Sequence, residues 1–287
     1  MALATLFAFV CRIGWRRWGD IYVDFGQQLY VPWRLSEGAV LYRDIAYLHG
    51  PLSPYFNGVF FSLFGASYST LVAVNLALIL IASGTLYFTF LGTTGRLAAV
   101  AATSVFLSVF ALGQYVGVGN YNWVSPYAHS TTHSLVLFAF LVPVLTARSD
   151  SAWKWGIAGI LLGCLALTRA ESAVAAILAV ILYGSVRAVG KRTVSRPGPT
   201  LGWMLAGAAL PWAIAIGLFA KTALPLPEAI RAAAGAWVSL LGSDVVGTLF
   251  FLRGAGLDDP RLSLEVTAVS ALSDACLIGG ATWVAWL

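Results

Sequence analysis

"DFGQQLYVPWRLSEGAVLYRDIAYLHGPLSPYF", residues 24–56, places Asp24, Arg34, Glu37, Arg43, Asp44 and His49 among aromatics, between stretches apolar enough to enter lipid. Asp24 stands before "FGQQLYVPWRL", where Leu29 and Trp33 repeat at helical spacing, so one reading of this acid is a helix N-cap. Its surroundings support a second reading. Acids, bases and tyrosines collect in a loop that turns at "HGP" straight back into apolar sequence, an arrangement suited to chemistry at a membrane surface.

The remainder of the chain sets that loop in lipid. Of 287 residues, 59% are hydrophobic and 10% charged, against about 25% charged in soluble domains; mean hydropathy is +0.83. Eleven Trp and eleven Tyr suit a protein with many membrane–water interfaces, where amphipathic rings collect. The net charge of +5 lies between apolar runs. It reads as topology signals and contacts with membrane lipids, not as a nucleic-acid surface. Cys11, Cys164 and Cys276 each sit in an apolar stretch and are expected to be free, buried thiols.

Apolar runs predict spans near 69–91, 96–113, 133–147, 152–168, 171–187, 199–220 and 266–287. "PLSPYFNGVFFSLFG" (51–65) is too short for the roughly 20 residues a span needs, and is either a short span or a helix in the interface. The basic run Arg187, Lys191, Arg192 and Arg196 marks the cytoplasmic side. The turn "TRAES" (168–172) and the loop 113–133 then fall outside, and the opening loop joins them only if 51–65 does not complete a crossing. "PEAIRAAAGAWVSLLG" puts Ile230, Ala234, Trp237, Val238 and Leu241 on one face, predicting an interfacial helix anchored by Trp237. The expected architecture is all-α, a polytopic transmembrane helix bundle forming a single domain over 1–287. Both termini lie in apolar sequence, so the chain is expected to be incomplete at the C-terminus and shortened at the N-terminus.

Several polar residues have two readings. Arg169 and Glu171 flank the mouth of adjacent spans, either as a snorkelling ion pair or with Arg169 turned to a phosphate. His129 and His133 have helical metal-ligand spacing, but no Cys or HExxH pattern completes a site. Loop contacts or substrate hydrogen bonds suit them better. "GLDDP" (256–260) reads as a turn, and Asp274 within the last apolar run is expected to face other helices.

The opening loop resembles the first extracytoplasmic loop of integral-membrane glycosyltransferases of the GT-C fold, especially protein O-mannosyltransferases and lipid A aminoarabinose transferases. Their pattern is an acid after the first helix, an amphipathic helix ending in Gly, and a proline-led entry into the next helix. The matching parts are Asp24, "LYVPWRLSEG" and "HGPL" (49–52). "GILLGCLALTRAES" is similar to a later segment in which Arg169 replaces a phosphate-binding lysine. Departures are Phe25 where many relatives have a second acid, Gln27 where aminoarabinose transferases have arginine, and His133 in place of an acid.

The resemblance implies an inverting transfer of sugar from a polyprenyl-phosphate donor to a hydroxyl of a glycan, lipid or protein acceptor. The site would face outward from the cytoplasmic (inner) membrane of a multi-pass protein. Asp24 is then the general base, Arg169 and His49 bind the donor phosphate, and Tyr30, Arg34, Asp44, His133 and Glu171 contact substrate. The scheme requires no metal or other cofactor. The alternative class is a noncatalytic lipid or solute transporter, or an assembly scaffold. A transporter would place polar groups near mid-membrane, whereas here they cluster at helix ends.

Overall fold

A computed structural model describes residues 2–19, 25–113, 122–147, 151–189, 197–242, 247–254 and 256–286, and among them every regular element is helical. The helices are α1 (Ala2–Gly14), α2 (Phe25–Ser36), α3 (Leu52–Phe64), α4 (Tyr68–Thr93), α5 (Arg96–Val105), α6 (His129–Thr146), α7 (Ala152–Thr168), α8 (Ala170–Val189), α9 (Pro197–Lys221), α10 (Leu226–Ala233), α11 (Gly235–Gly242), α12 (Leu249–Gly254) and α13 (Pro260–Trp286). A π-helical segment, Phe106–Ala111, prolongs α5.

Four described helices are long and apolar enough to cross a membrane: Tyr68–Thr93, His129–Thr146, Ala170–Arg187 and Thr200–Lys221. Ala2–Gly14, Arg96–Ala111 and Ala152–Thr168 are apolar but shorter. Leu182, Leu205 and Leu210 stand exposed on α8 and α9. Water would penalise that much apolar surface, and lipid solvates it. The chain groups into two compact units, residues 1–237 and 238–287.

In the first unit, polar contacts gather many helix termini at one end. Trp18, just after α1, donates its indole N–H to Leu112 O at 3.0 Å, beyond the π segment. Asn75 near the start of α4 bonds to Val124 O and to His129 at the start of α6. Arg169, between α7 and α8, donates to Thr131 Oγ1 on α6. Gly50 N–H donates to Thr168 O at 3.1 Å, and Arg43 reaches Thr222 O past the end of α9 at 3.1 Å.

Thus α3 and α4 both begin at this end. With 13 residues, α3 is about 20 Å long, short of the roughly 30 Å hydrocarbon core. It packs on α2, where Gly58 lies close to Pro32 O and Leu35. The opening loop and the "TRAES" turn meet directly at this end through the Gly50–Thr168 hydrogen bond.

Small residues set the closest helix crossing. A Cβ on Gly159 would meet Met204 O at 2.0 Å, one on Gly163 would meet Ala208 O at 2.4 Å, and one on Gly207 would meet Gly156 O at 2.1 Å. α7 and α9 therefore approach backbone to backbone, the mode by which small residues hold helices together in lipid.

The structure corrects four expectations. The helix predicted over 133–147 begins at His129, because "HSTTH" is helical although it is too polar to register as a span. The helix predicted over 266–287 begins at Pro260, with Asp259 Oδ1 accepting from Leu262 N at 3.1 Å as its cap. The single interfacial helix around Trp237 is broken into α10 and α11. Ala229, Ala232, Ala233 and Ala236 form its buried side while Ile230 and Leu241 are exposed, and Trp237 donates its indole N–H to Ala166 O at 3.0 Å. The cysteines are free, but Cys11 and Cys164 are half-buried and Cys276 is exposed.

Asp24, residues 114–121 of the loop 113–133, the basic run Lys191, Arg192 and Arg196, and the side chain of Asp274 lie outside the described residues.

Candidate functional site

The opening loop is built to present its last residues to the end of α7. Gly38, at φ +95°, ends α2 with its Arg34–Glu37 pair at 2.6 Å. The chain then folds into a tight turn closed by a Leu41–Ile45 bridge. Asp44 holds this turn from both sides. One oxygen accepts from Val40 N–H at 2.8 Å, and Arg43 grips the carboxylate through Nε and Nη2 at 2.9 and 2.8 Å. These bonds hold the Asp44 pKa down at about 2, the Arg43 hydrogen bond first and the Val40 amide second. Asp44 is thereby committed to the loop and to Arg43, which itself reaches the end of α9.

Beneath the turn, Val40, Leu41, Ile45 and Tyr47 are buried with Leu167 and Phe219. Tyr42 donates its hydroxyl to His49 O at 2.5 Å, and Tyr47 meets His49 edge-on at 5.6 Å. Gly50 then docks on Thr168 O, where an added Cβ would lie 2.1 Å from Leu167 O. Only a residue without a Cβ lets the two backbones approach so closely.

Arg169 follows immediately. Its Nε donates to Glu171 at 3.3 Å and one Nη to Thr131 Oγ1, so two of the five guanidinium N–H groups have partners among the described residues. Arg169 is one-quarter exposed and Glu171 just over half. His49 feels both: burial first, then the Arg169 cation, holds its pKa below the ordinary value, while Glu171 pulls the other way. At neutral pH His49 is an uncharged imidazole able to donate one N–H. Burial raises the Tyr47 pKa, with Arg169 opposing, so Tyr47 keeps its proton.

Thr168 also lines a cavity of about 230 Å³ between α3, α4 and α6. Its wall is apolar (Leu52, Phe56, Leu78, Val136, Leu137 and Phe140), with Ser53 and His133 as the other polar contributors. Arg169 follows Thr168 in sequence but does not itself line the cleft.

Of the predicted site residues, the structure brings together His49, Arg169 and Glu171, and sets His133 nearby in the cleft. Tyr30 instead packs edge-on against Trp33 at 6.2 Å, both exposed, beside a separate depression of about 400 Å³ lined by Gly26, Phe61 and Tyr68. Arg34 pairs with Glu37, and Asp44 with Arg43.

Sequence reasoning missed Thr131, Gln28 and Ser53. Gln28 Oε1 accepts from both the backbone N–H and Nδ1 of His129, each at 2.9 Å. Asn75 Nδ2 donates to Val124 O and approaches His129 Nε2, again at 2.9 Å. Val124 O can only accept, so this Asn75 atom is the NH₂. His129 Nε2 therefore accepts, and Nδ1 carries the proton. His129 is fully satisfied and belongs to the scaffold joining α2, α4 and α6. The available signal was the amphipathic helix itself, whose Gln28 falls on the buried side with Val31 and Leu35.

No family model, curated protein or solved structure matches the chain.

Proposed function

We propose that the protein is a GT-C-type membrane glycosyltransferase that moves a sugar from a polyprenyl-phosphate donor to an acceptor hydroxyl on the extracytoplasmic side. The observation that carries the reading is the placement of Arg169. Three of its five guanidinium N–H groups meet no partner among the described residues, it acts electrostatically on neutral His49, and it follows Thr168, which lines an apolar cleft. An anionic head on a hydrocarbon chain has the complementary form.

In this scheme Arg169 offers its planar fork to the donor phosphate, and His49 adds one neutral N–H. As the bond from the anomeric carbon to the phosphate oxygen breaks, negative charge grows on the lipid phosphate, and the fixed cation stabilises it. Asp24, which immediately precedes α2 in sequence, accepts the proton of the attacking hydroxyl. Attack from the face opposite the departing phosphate inverts the anomeric centre. Tyr47 holds His49, and Glu171 orients Arg169.

The test is transfer of labelled sugar by protein reconstituted in liposomes, with mannose and aminoarabinose polyprenyl-phosphate donors. Asp24→Asn is expected to lower turnover about 10²–10⁴-fold with donor binding retained. Arg169→Ala is expected to lower donor affinity about 10- to 100-fold, the range for a charged hydrogen bond. Full turnover in both variants would refute the reading.

A further inference from the structure

A hollow of about 400 Å³ opens between α2 and the turn that joins α3 to α4. It shares no lining residue with the cleft beside Thr168, and its volume falls in the range of about 300–1,000 Å³ usual for small-molecule pockets. Gly26, Leu29, Tyr30 and Trp33 line it from one face of α2, at helical spacing, and Ser67 and Tyr68 from across. That face lies away from the buried Gln28, Val31 and Leu35, so the packing of α2 on α3 leaves it open. Small residues keep the hollow empty: a Cβ on Gly26 would meet nothing within 4 Å.

The lining selects a class of ligand. Among the described residues no acid, base or histidine lines the hollow, so an ion finds no counter-charge there. Tyr30 and Trp33 stand at 77° to one another, each with nearly half its surface exposed. The Tyr30 hydroxyl and the Trp33 indole N–H have no hydrogen-bond partner among the described residues, and a hydrocarbon chain would bring them none. A sugar ring has the matching form. Its C–H groups, made slightly positive by neighbouring oxygens, rest on the negative faces of aromatic rings, and its hydroxyls accept from N–H and O–H donors at the ring edges.

Tryptophan and tyrosine also collect where a membrane meets water, but anchoring there needs exposed rings and no hollow beside them. We infer that this hollow is a carbohydrate-binding site that takes one uncharged hexose unit, with Trp33 as its aromatic platform and Gly26 as the open floor. The inference goes beyond the transferase reading and does not depend on where the donor phosphate binds.

The probes are the methyl glycosides of glucose, mannose and galactose, which differ only in the orientation of their hydroxyls, with choline and octanol as the competing chemistries. The full chain is labelled with fluorotryptophan and placed in phosphatidylglycerol nanodiscs, and the Trp33 signal is identified as the one lost in Trp33→Phe. In wild type at least one glycoside should shift that signal with a Kd of about 1 mM, ordinary for a ligand of about a dozen heavy atoms. The signal lost in Trp203→Phe, from a tryptophan exposed on α9, should stay in place. Gly26→Leu sends its side chain into open space and should weaken glycoside binding at least about tenfold by filling the hollow. This wild-type titration decides the matter even if the variant folds poorly. Should none of the three glycosides move the Trp33 signal, or should Gly26→Leu fold and bind them as tightly as wild type, the inference is overturned. A Trp33 signal that responds to choline or octanol and not to the glycosides overturns it as well, assigning the hollow to membrane lipid.

Discussion

Replacing Gly50 by alanine is expected to separate the opening loop from Arg169. The new Cβ would lie 2.1 Å from Leu167 O, 2.5 Å from Leu167 C and 2.9 Å from Thr168 O. All three atoms are backbone at the end of α7 and cannot rotate away. Ordinary contact begins near 3.4 Å, so the loop must retreat by about 1.3 Å, enough to stretch the 3.1 Å Gly50–Thr168 hydrogen bond beyond its range. Overpacking of this kind costs about 1–3 kcal/mol and the lost hydrogen bond about 1 kcal/mol, giving a destabilisation of about 2–4 kcal/mol. The functional loss should be larger than the stability loss suggests, because about 1 Å of misplacement can lower a rate about a hundredfold. Thermal unfolding in nanodiscs reads the first quantity and sugar transfer the second. Gly184→Ala, at a position where a Cβ meets nothing within 4 Å, is the control and should match wild type. If Gly50→Ala were as stable and active as that control, the docking of His49 beside Arg169 would be wrong.

Three further outcomes follow from named contacts. In an NMR titration His49 should show a pKa below 6.5, since burial and Arg169 both disfavour its cation. Arg169→Gln should raise it and Glu171→Gln should lower it further; movement in the opposite senses would mean the three side chains are not together. Asp44 has its folded pKa depressed to about 2, so the order it gives the turn is complete above the ordinary value of 3.8 and is lost as pH falls through about 2. Asp44→Ala should then speed hydrogen exchange at the Val40 amide at neutral pH, with Asp44→Asn intermediate, and an unchanged rate in Asp44→Ala would contradict the staple. Gly159→Leu places a side chain where Met204 O stands 2.0 Å from a Cβ; it should part α7 from α9 and abolish a monodisperse peak in detergent chromatography, whereas Gly84→Leu should not.

The parts of this architecture that hydropathy governs were legible in the sequence. The runs 69–91, 152–168, 171–187 and 199–220 fall on α4, α7, α8 and α9 nearly end to end, because long apolar runs have few ways to satisfy their backbones in lipid. Helix ends defined by polar residues were harder. "HSTTH" opens α6 through partners far away in sequence, Gln28 for His129 and Ser53 for His133, and no local spacing encodes such pairs. The break between α10 and α11 has a similar cause: Tyr42 of the opening loop lies over Gly235, interrupting an otherwise continuous periodicity. Arg169 and Glu171 stood out as charges between apolar runs. Gly50 and the Gly159–Gly163 pair did not, since the need for a missing Cβ arises only once another backbone is in place.

The most direct test of the account is where a lipid phosphate binds. A prenyl phosphate carrying a diazirine on its first isoprene unit is photolysed with the reconstituted protein, and the adducts are mapped by peptide mass spectrometry. The account predicts adducts on Phe56, Leu137 or Phe140, which line the cleft beside Thr168, and their loss in Arg169→Ala. Adducts confined to Leu182, Leu205 and Leu210, which are exposed on α8 and α9, and equally abundant with and without Arg169, would contradict it.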